Sequence, residues 1–155
     1  MAALNLNTIR KDIEERLIAE FNKVPPTKIV FGNQPFQPVA GTGFIQCLIE
    51  FTGNEYITLG GTTNSTNSLT GIITFNIFTK VGVGLGNNLT LAKRIRDLYN
   101  RVRLNGIFFE PSTGPAVLEN AAPEGFVQSV MSIPFEIFEN LLLKLLTKCL
   151  ILLSK

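Results

Sequence analysis

Three glycines alternate in the run GVGLG, at Gly82, Gly84 and Gly86. They join a segment that reads as a strand, Ile72 to Thr79, to a basic amphipathic segment that reads as a helix. Main-chain N–H groups at a helix start can hold phosphate, so this turn offers the sequence's one opening for ligand chemistry. The dinucleotide fingerprint wants G-x-G-x-x-G and an acidic residue closing the next strand. Glu110 meets the second requirement, but Asn87 stands where the third glycine belongs. The preceding strand alternates polar and apolar residues, whereas a central parallel strand is apolar throughout. The motif begins midway along the chain, and the helix start LTLAKR lacks the small residue that close helix–strand packing uses. No G-x-x-x-x-G-K-[ST] is present. A tight strand-to-helix turn, in which glycine supplies positive φ, accounts for the same residues. A nucleotide-binding enzyme using Gly82–Asn87 is therefore kept as a remote alternative.

No other constellation supports catalysis. The chain has no His, which removes the commonest general base and the commonest metal ligand together. Cys47 and Cys149 match no zinc or redox spacing. Cys47 alternates with Ile45, Ile49 and Phe51 and reads as a buried hydrophobe. Acidic pairs such as Glu14–Glu15 fall on a solvated helix face. No cofactor, no metal and no enzymatic activity are expected. The net charge of +2 is too small to imply nucleic acid or an acidic membrane. Residues Met1–Arg10 contain no apolar stretch long enough for a signal peptide, so the expected setting is a reducing cytoplasm.

The elements that would position any site are legible from periodicity. At 155 residues the chain suits one domain with a tail, divided here as 1–139 and 140–155. Ile9, Ile13, Leu17 and Phe21 recur at four-residue steps and predict a helix over Asn7–Val24, capped by Asn7 or Thr8 and stopped by Pro25–Pro26. Lys28–Phe31 reads as a short strand and Phe44–Thr52 as a clear one, with Ile45, Cys47, Ile49 and Phe51 on one face. Leu91, Ile95, Leu98 and Val102 line a second helix that Asn105–Gly106 would end. Short strands are expected at Ile107–Glu110 and Ala116–Glu119, and a long one over Gly125–Phe138. The order predicts an α+β fold, a mainly antiparallel sheet with two helices packed on one face, plus a Leu-rich C-terminal segment.

Three features suit contacts between molecules. Leu59–Gly71, containing GGTTNSTNSLTG, is small and polar and predicts an exposed loop ordered by a partner. Its candidate docking residues are Leu59, Thr62, Thr63, Asn64, Ser65, Asn67 and Leu69. The second helix carries Lys93, Arg94, Arg96, Arg101 and Arg103, candidate charges for a subunit or partner. Pro134, between Ile133 and Phe135, predicts an edge strand or a bulge. Charged residues make up only 17% of the chain, little to cover a monomer's surface, and oligomerisation hides what remains. NLLLKLLTKCLILLSK is too short and too interrupted by Lys144 and Lys148 to cross a bilayer. It is expected to be helical and to pack on its own domain or a neighbouring subunit, and no membrane partner is expected.

In the order of its blocks the chain resembles the tail terminator, or tail completion, proteins of long-tailed bacteriophages. The blocks are IRKDIEERL, PFQP, FIQCLIEF, LGG, GIITFNIFTKVGVGLGNN, LAKRIRDLYNRV, NGIFFEPSTGP and IPFEIFE, spanning Thr8 to Glu139. The resemblance implies a compact α+β domain in a homohexameric ring. Such a ring sits on the last ring of tail-tube subunits at the head-proximal end of the virion's tail. It stops tube growth and offers a joint to the head-side connector, or neck, protein. DNA passes through the lumen without being read, and assembly takes place in the host cytoplasm. A head-closure or neck adaptor, or a tail-tube-like protein, is the alternative. The segment beyond Asn140 has no counterpart in the family pattern.

Overall fold

The computed structural model describes residues 5–58, 65–118 and 122–140. Among these residues two helices, α1 (Leu6–Phe21) and α2 (Gly86–Tyr99), accompany seven strands. These are β1 (Lys28–Phe31), β2 (Phe44–Tyr56), β3 (Thr66–Lys80), β4 (Arg103–Leu104), β5 (Ile107–Phe109), β6 (Thr113–Leu118) and β7 (Phe126–Asn140). They form one sheet in the order β1-β2-β3-β7-β5-β4, with β6 also paired to β7. Only β1 and β2 run parallel among the described pairs; every other pair is antiparallel. The fold is α+β, as the sequence predicts.

The sheet's two faces differ because its strands alternate. Ile45 and Cys47, then Ile73, Phe75 and Ile77, then Met131, Ile133, Phe135 and Ile137, all point to one face and are buried there. Both helices cover that face. Ile9, Ile13, Leu17 and Phe21 of α1 and Ala92, Ile95 and Tyr99 of α2 complete a single core. At this face Cys47 is 1% exposed, the buried hydrophobe its alternation predicts. On the far face Gln46, Asn76 and Gln128 join side chain to side chain across β2, β3 and β7 at 3.1 Å each. Beyond this polar row Val30, Phe44, Phe78 and Phe126 make a smaller cluster, with Phe36 against it.

Several expectations are corrected. The polar segment expected to be a loop is strand from Thr66 onward, while Leu59, Thr62, Thr63 and Asn64 lie outside the described residues. Asn67 pairs with Tyr56 on one side and Glu139 on the other, and Leu69 pairs with Asn54 and Ile137. Leu69 and Ser65 are buried. Pairing on both sides satisfies the backbone of a segment whose side chains could not have ordered it. Ile133, Pro134 and Phe135 do not lie on an edge. β7 pairs with β3 along its whole length, and its other side takes β5 and then β6. Proline is tolerated there because Glu110 N donates to Pro134 O at 2.9 Å where the chain passes from β5 to β6. In an antiparallel ladder a residue's N and O face the same neighbour, so the missing N–H of Pro134 falls in that gap and costs the β3 ladder nothing.

The helix boundaries also move. Asn5, not Asn7 or Thr8, caps α1, its Oδ1 accepting from Asn7 N at 2.9 Å. The helix ends at Phe21 rather than Val24. α2 stops at Tyr99, with Arg101 at φ 57° just beyond it, and Asn105 (φ 48°) with Gly106 (φ 88°) forms the turn between β4 and β5. Two successive left-handed residues suit a tight hairpin, which is why Asn-Gly stands there. Residues 141–155, expected to be helical, lie outside the described residues.

Candidate functional site

The glycine turn does not build a dinucleotide site. Gly82 and Gly84 adopt φ of +81° and +78°, and α2 starts at Gly86 without a side-chain cap. The strand before the turn is an antiparallel neighbour of β2 and β7, not the first strand of a parallel βαβ unit. Glu110 sits opposite Pro134, while the turn adjoins the Phe126 end of β7, where Val81 N donates to Gly125 O. At about 3.3 Å per residue the two are roughly 25 Å apart. Glu110 therefore cannot meet a ribose held at this turn. The turn instead presents apolar side chains: Val81, Val83, Leu85 and Leu89 are each 40–55% exposed.

Behind the turn, Asn88 is fully buried. Its Nδ2 donates to Ile77 O at 3.2 Å and to Thr79 Oγ1 at 3.3 Å, and its Oδ1 accepts from Ser129 Oγ. One amide thus ties the start of α2 to β3 and β7. Sequence periodicity does not reveal this residue, because an asparagine after a glycine turn reads as part of the turn. Asn88→Ala is expected to lower stability by about 3 kcal/mol, since it strands buried partners as well as opening space. Urea unfolding checks this; a loss below about 0.5 kcal/mol, the range of an ordinary surface substitution, counts against it.

The basic residues of the second helix divide into two groups. Arg94 turns inward. Its guanidinium donates to Glu20 O at 2.9 Å and Pro25 O at 3.0 Å and lies 4.4 Å from the centre of the Phe21 ring. It closes the carbonyl end of α1 and is not an outward charge, a correction to its expected role. Arg16 of α1 reciprocates, donating from Nε and Nη2 to Leu98 O at 3.1 and 3.0 Å near the end of α2. Tyr99 Oη completes the joint by donating to Ile13 O at 2.6 Å. The helices run antiparallel, so each arginine reaches the other's C-terminal carbonyls, where a cation is favoured. Lys23 first, and then Arg94, hold Glu20 below the usual carboxylate range against the opposing effect of burial.

Lys93, Arg96, Arg101 and Arg103 remain exposed. Lys93 pairs with Asp97 four positions on, and Arg96 lies 3.9 Å from the same carboxylate. The Lys93 hydrogen bond is the main cause of Asp97's lowered pKa. Arg103 lies over the Phe108 ring, 4.5 Å from its centre. The structure does not gather these side chains into one site. Among the described residues no group of His, Cys, Asp and Glu has the makings of a metal site, and no helix is long and apolar enough to cross a membrane.

What the sheet does present is unpaired backbone on opposite sides. β1 covers only Phe44–Cys47 of β2, so Leu48–Tyr56 is paired on the β3 side alone among the described residues. At the other side β6 pairs only with β7 among the described residues. Val117 and Leu118, adjacent in β6 and therefore on opposite faces, are 41% and 38% exposed. Free N–H and C=O groups of this kind are templates for another chain.

No protein-family model matches the chain, and no curated protein matches it. Several solved structures are similar to the chain; one of them aligns with a TM-score of 0.64 over 87% of this chain and 96% of its own, at 14% identity. At that identity the likeness concerns the fold alone.

Proposed function

We propose that this chain is a structural subunit of a bacteriophage tail, a terminator that closes into a ring on the end of the tail tube. The ring stops tube polymerisation and provides the joint to the head-side connector. It lies at the head-proximal end of the tail after assembly in the host cytoplasm, DNA passes through its lumen, and the protein performs no chemistry of its own. The order of sequence blocks supports this reading, and the α+β fold is the one that resemblance implies. The observation that carries it furthest is the pair of free edges, Leu48–Tyr56 and β6, on opposite sides of one sheet. A head-to-tail contact between unlike surfaces generates a closed ring when its rotation closes.

Mass photometry of the purified chain, alone and with tail-tube protein, tests the proposal. A discrete particle at six times the 17.1 kDa subunit mass is expected. A strict monomer at high concentration, with tube protein present, overturns it. Negative-stain microscopy separates the neighbouring roles: a terminator stops at one ring, a tube-like protein polymerises alone, and a neck adaptor binds the connector without capping the tube.

A further inference from the structure

A groove lined by apolar and acidic side chains opens beside the end of β7. It lies at the end of the sheet remote from the glycine turn, where Ser68, Glu136 and Phe138 alternate away from the helix-covered face. Glu55, Tyr56 and Ile57, at and just beyond the end of β2, form one wall, and Ser68, Glu136 and Phe138 of β3 and β7 form the other. Tyr56, Ile57 and Phe138 are 63%, 53% and 37% exposed. Glu136 accepts from Ser68 Oγ, which fixes its carboxylate in the wall. Phe138 stacks edge-on against Phe108, whose ring engages Arg103 on the flank.

We infer that this groove is the seat of the chain's own C-terminal segment, residues 141–155. Position is the first argument. β7 ends at Asn140, opposite Thr66, so the segment leaves the sheet two residues beyond Phe138, at the rim of the groove. Reach is the second. Fifteen residues span about 50 Å when fully extended and about 22 Å as a helix, enough either way to lie along the groove. The apolar patch at the glycine turn stands at the opposite end of β7, about 45 Å away, beyond the reach of a helical segment. Chemistry is the third argument. LLLKLLTKCLILLSK is leucine-rich, carries Lys144 and Lys148, and has no acidic residue. The groove offers aromatic and aliphatic surface beside Glu55 and Glu136. Burial of the leucines supplies the drive, since exposed ion pairs contribute little; the carboxylates set which way the segment lies.

The inference does not depend on ring formation, and its test reads a different quantity. Cys149 lies in the segment, and Cys47, buried and with its thiol pushed up by that burial, stays silent. Tyr56→Cys in the full chain, mildly oxidised with diamide, is expected to form a disulfide to Cys149 within one chain. Denaturing mass spectrometry then shows a monomer lighter by two hydrogens. Val83→Cys, at the far end, is expected to form none. Adding Glu55→Lys and Glu136→Lys to the Tyr56→Cys chain is expected to slow closure about fivefold, the scale of two exposed ion pairs. Ile57→Cys provides a second, independent exposed probe and is expected to close as Tyr56→Cys does. No closure at either probe, equal closure at Val83→Cys, or a disulfide joining two chains overturns the inference.

Discussion

Replacing Gly71 by alanine is expected to destabilise the fold by about 3 kcal/mol or more, the upper range for overpacking a filled site. Gly71 lies in β3 between Phe51 of β2 and Phe135 of β7. A Cβ there would come within 2.2 Å of Phe135 Cζ and 2.6 Å of Glu50 O. The ring can swing, but the carbonyl belongs to a paired strand and can move only with its backbone. Phe135 is itself held, edge-on to Phe51 and tilted against Phe109. Gly71→Ala combined with Phe135→Leu is therefore expected to recover only part of the loss, with a coupling of about 1 kcal/mol. Gly82 provides the contrast. It has a positive φ of +81° but nothing within 4 Å of its Cβ direction, so Gly82→Ala costs about 1 kcal/mol, from backbone strain alone. Chemical denaturation of these three variants and of Phe135→Leu alone checks the order and the coupling. A Gly71→Ala protein as stable as Gly82→Ala means that β2 and β7 yield more freely than their pairing implies.

That contrast shows what the sequence could and could not disclose. Glycines spaced as in GVGLG draw notice because their pattern is local, whereas Gly71 matters through two strands that approach it from distant parts of the chain. Elements whose side chains alternate or repeat were legible. Ile9, Ile13, Leu17 and Phe21 all fall in the core, as do Ile73, Phe75 and Ile77. The first half of β3 was not legible, because Thr66, Asn67, Ser68 and Thr70 owe their extended form to pairing on both sides. Pro134 misled for the same reason: its tolerance depends on where β5 gives way to β6. Of the candidate interaction residues, Lys93, Arg96, Arg101 and Arg103 stay on the surface, but Arg94 is drawn inward by the carbonyls of α1 and the ring of Phe21. Helical spacing indicates which residues share a face, but not which face meets another helix. The groove at Tyr56, Ile57 and Phe138 was hidden because its walls come from three strands.

Raising the pH above 9 is expected to destabilise this protein progressively, through two protons held in the core. Burial, with a smaller contribution from the Glu14 carboxylate, pushes the Cys47 thiol far above its ordinary value of 9.0. Tyr99 is likewise raised far above 10.0, by burial first and by Cys47 second, with Arg16 opposing. Its hydroxyl donates to Ile13 O, a bond the phenolate cannot make. In the unfolded chain both groups ionise near their ordinary values. The unfolded state therefore binds fewer protons than the folded state above pH 9, and stability falls as pH rises. The stabilisation is complete below pH 9 and is lost between the ordinary and the raised pKa values. Each proton contributes about 1.4 kcal/mol per pH unit, so by pH 11 the loss is about 4 kcal/mol, two units from Cys47 and one from Tyr99. Against a total of about 5–15 kcal/mol this is between about a quarter and most of the margin. Urea midpoints measured from pH 7 to 11 are expected to stay level to pH 9, fall with one proton's slope to pH 10, and steepen beyond it. Cys47→Val removes the first break and Tyr99→Phe the second, each at some cost in stability at neutral pH. A wild-type profile that stays level to pH 11 would show that the two groups ionise in place; identical slopes in both variants would place the titrating protons elsewhere.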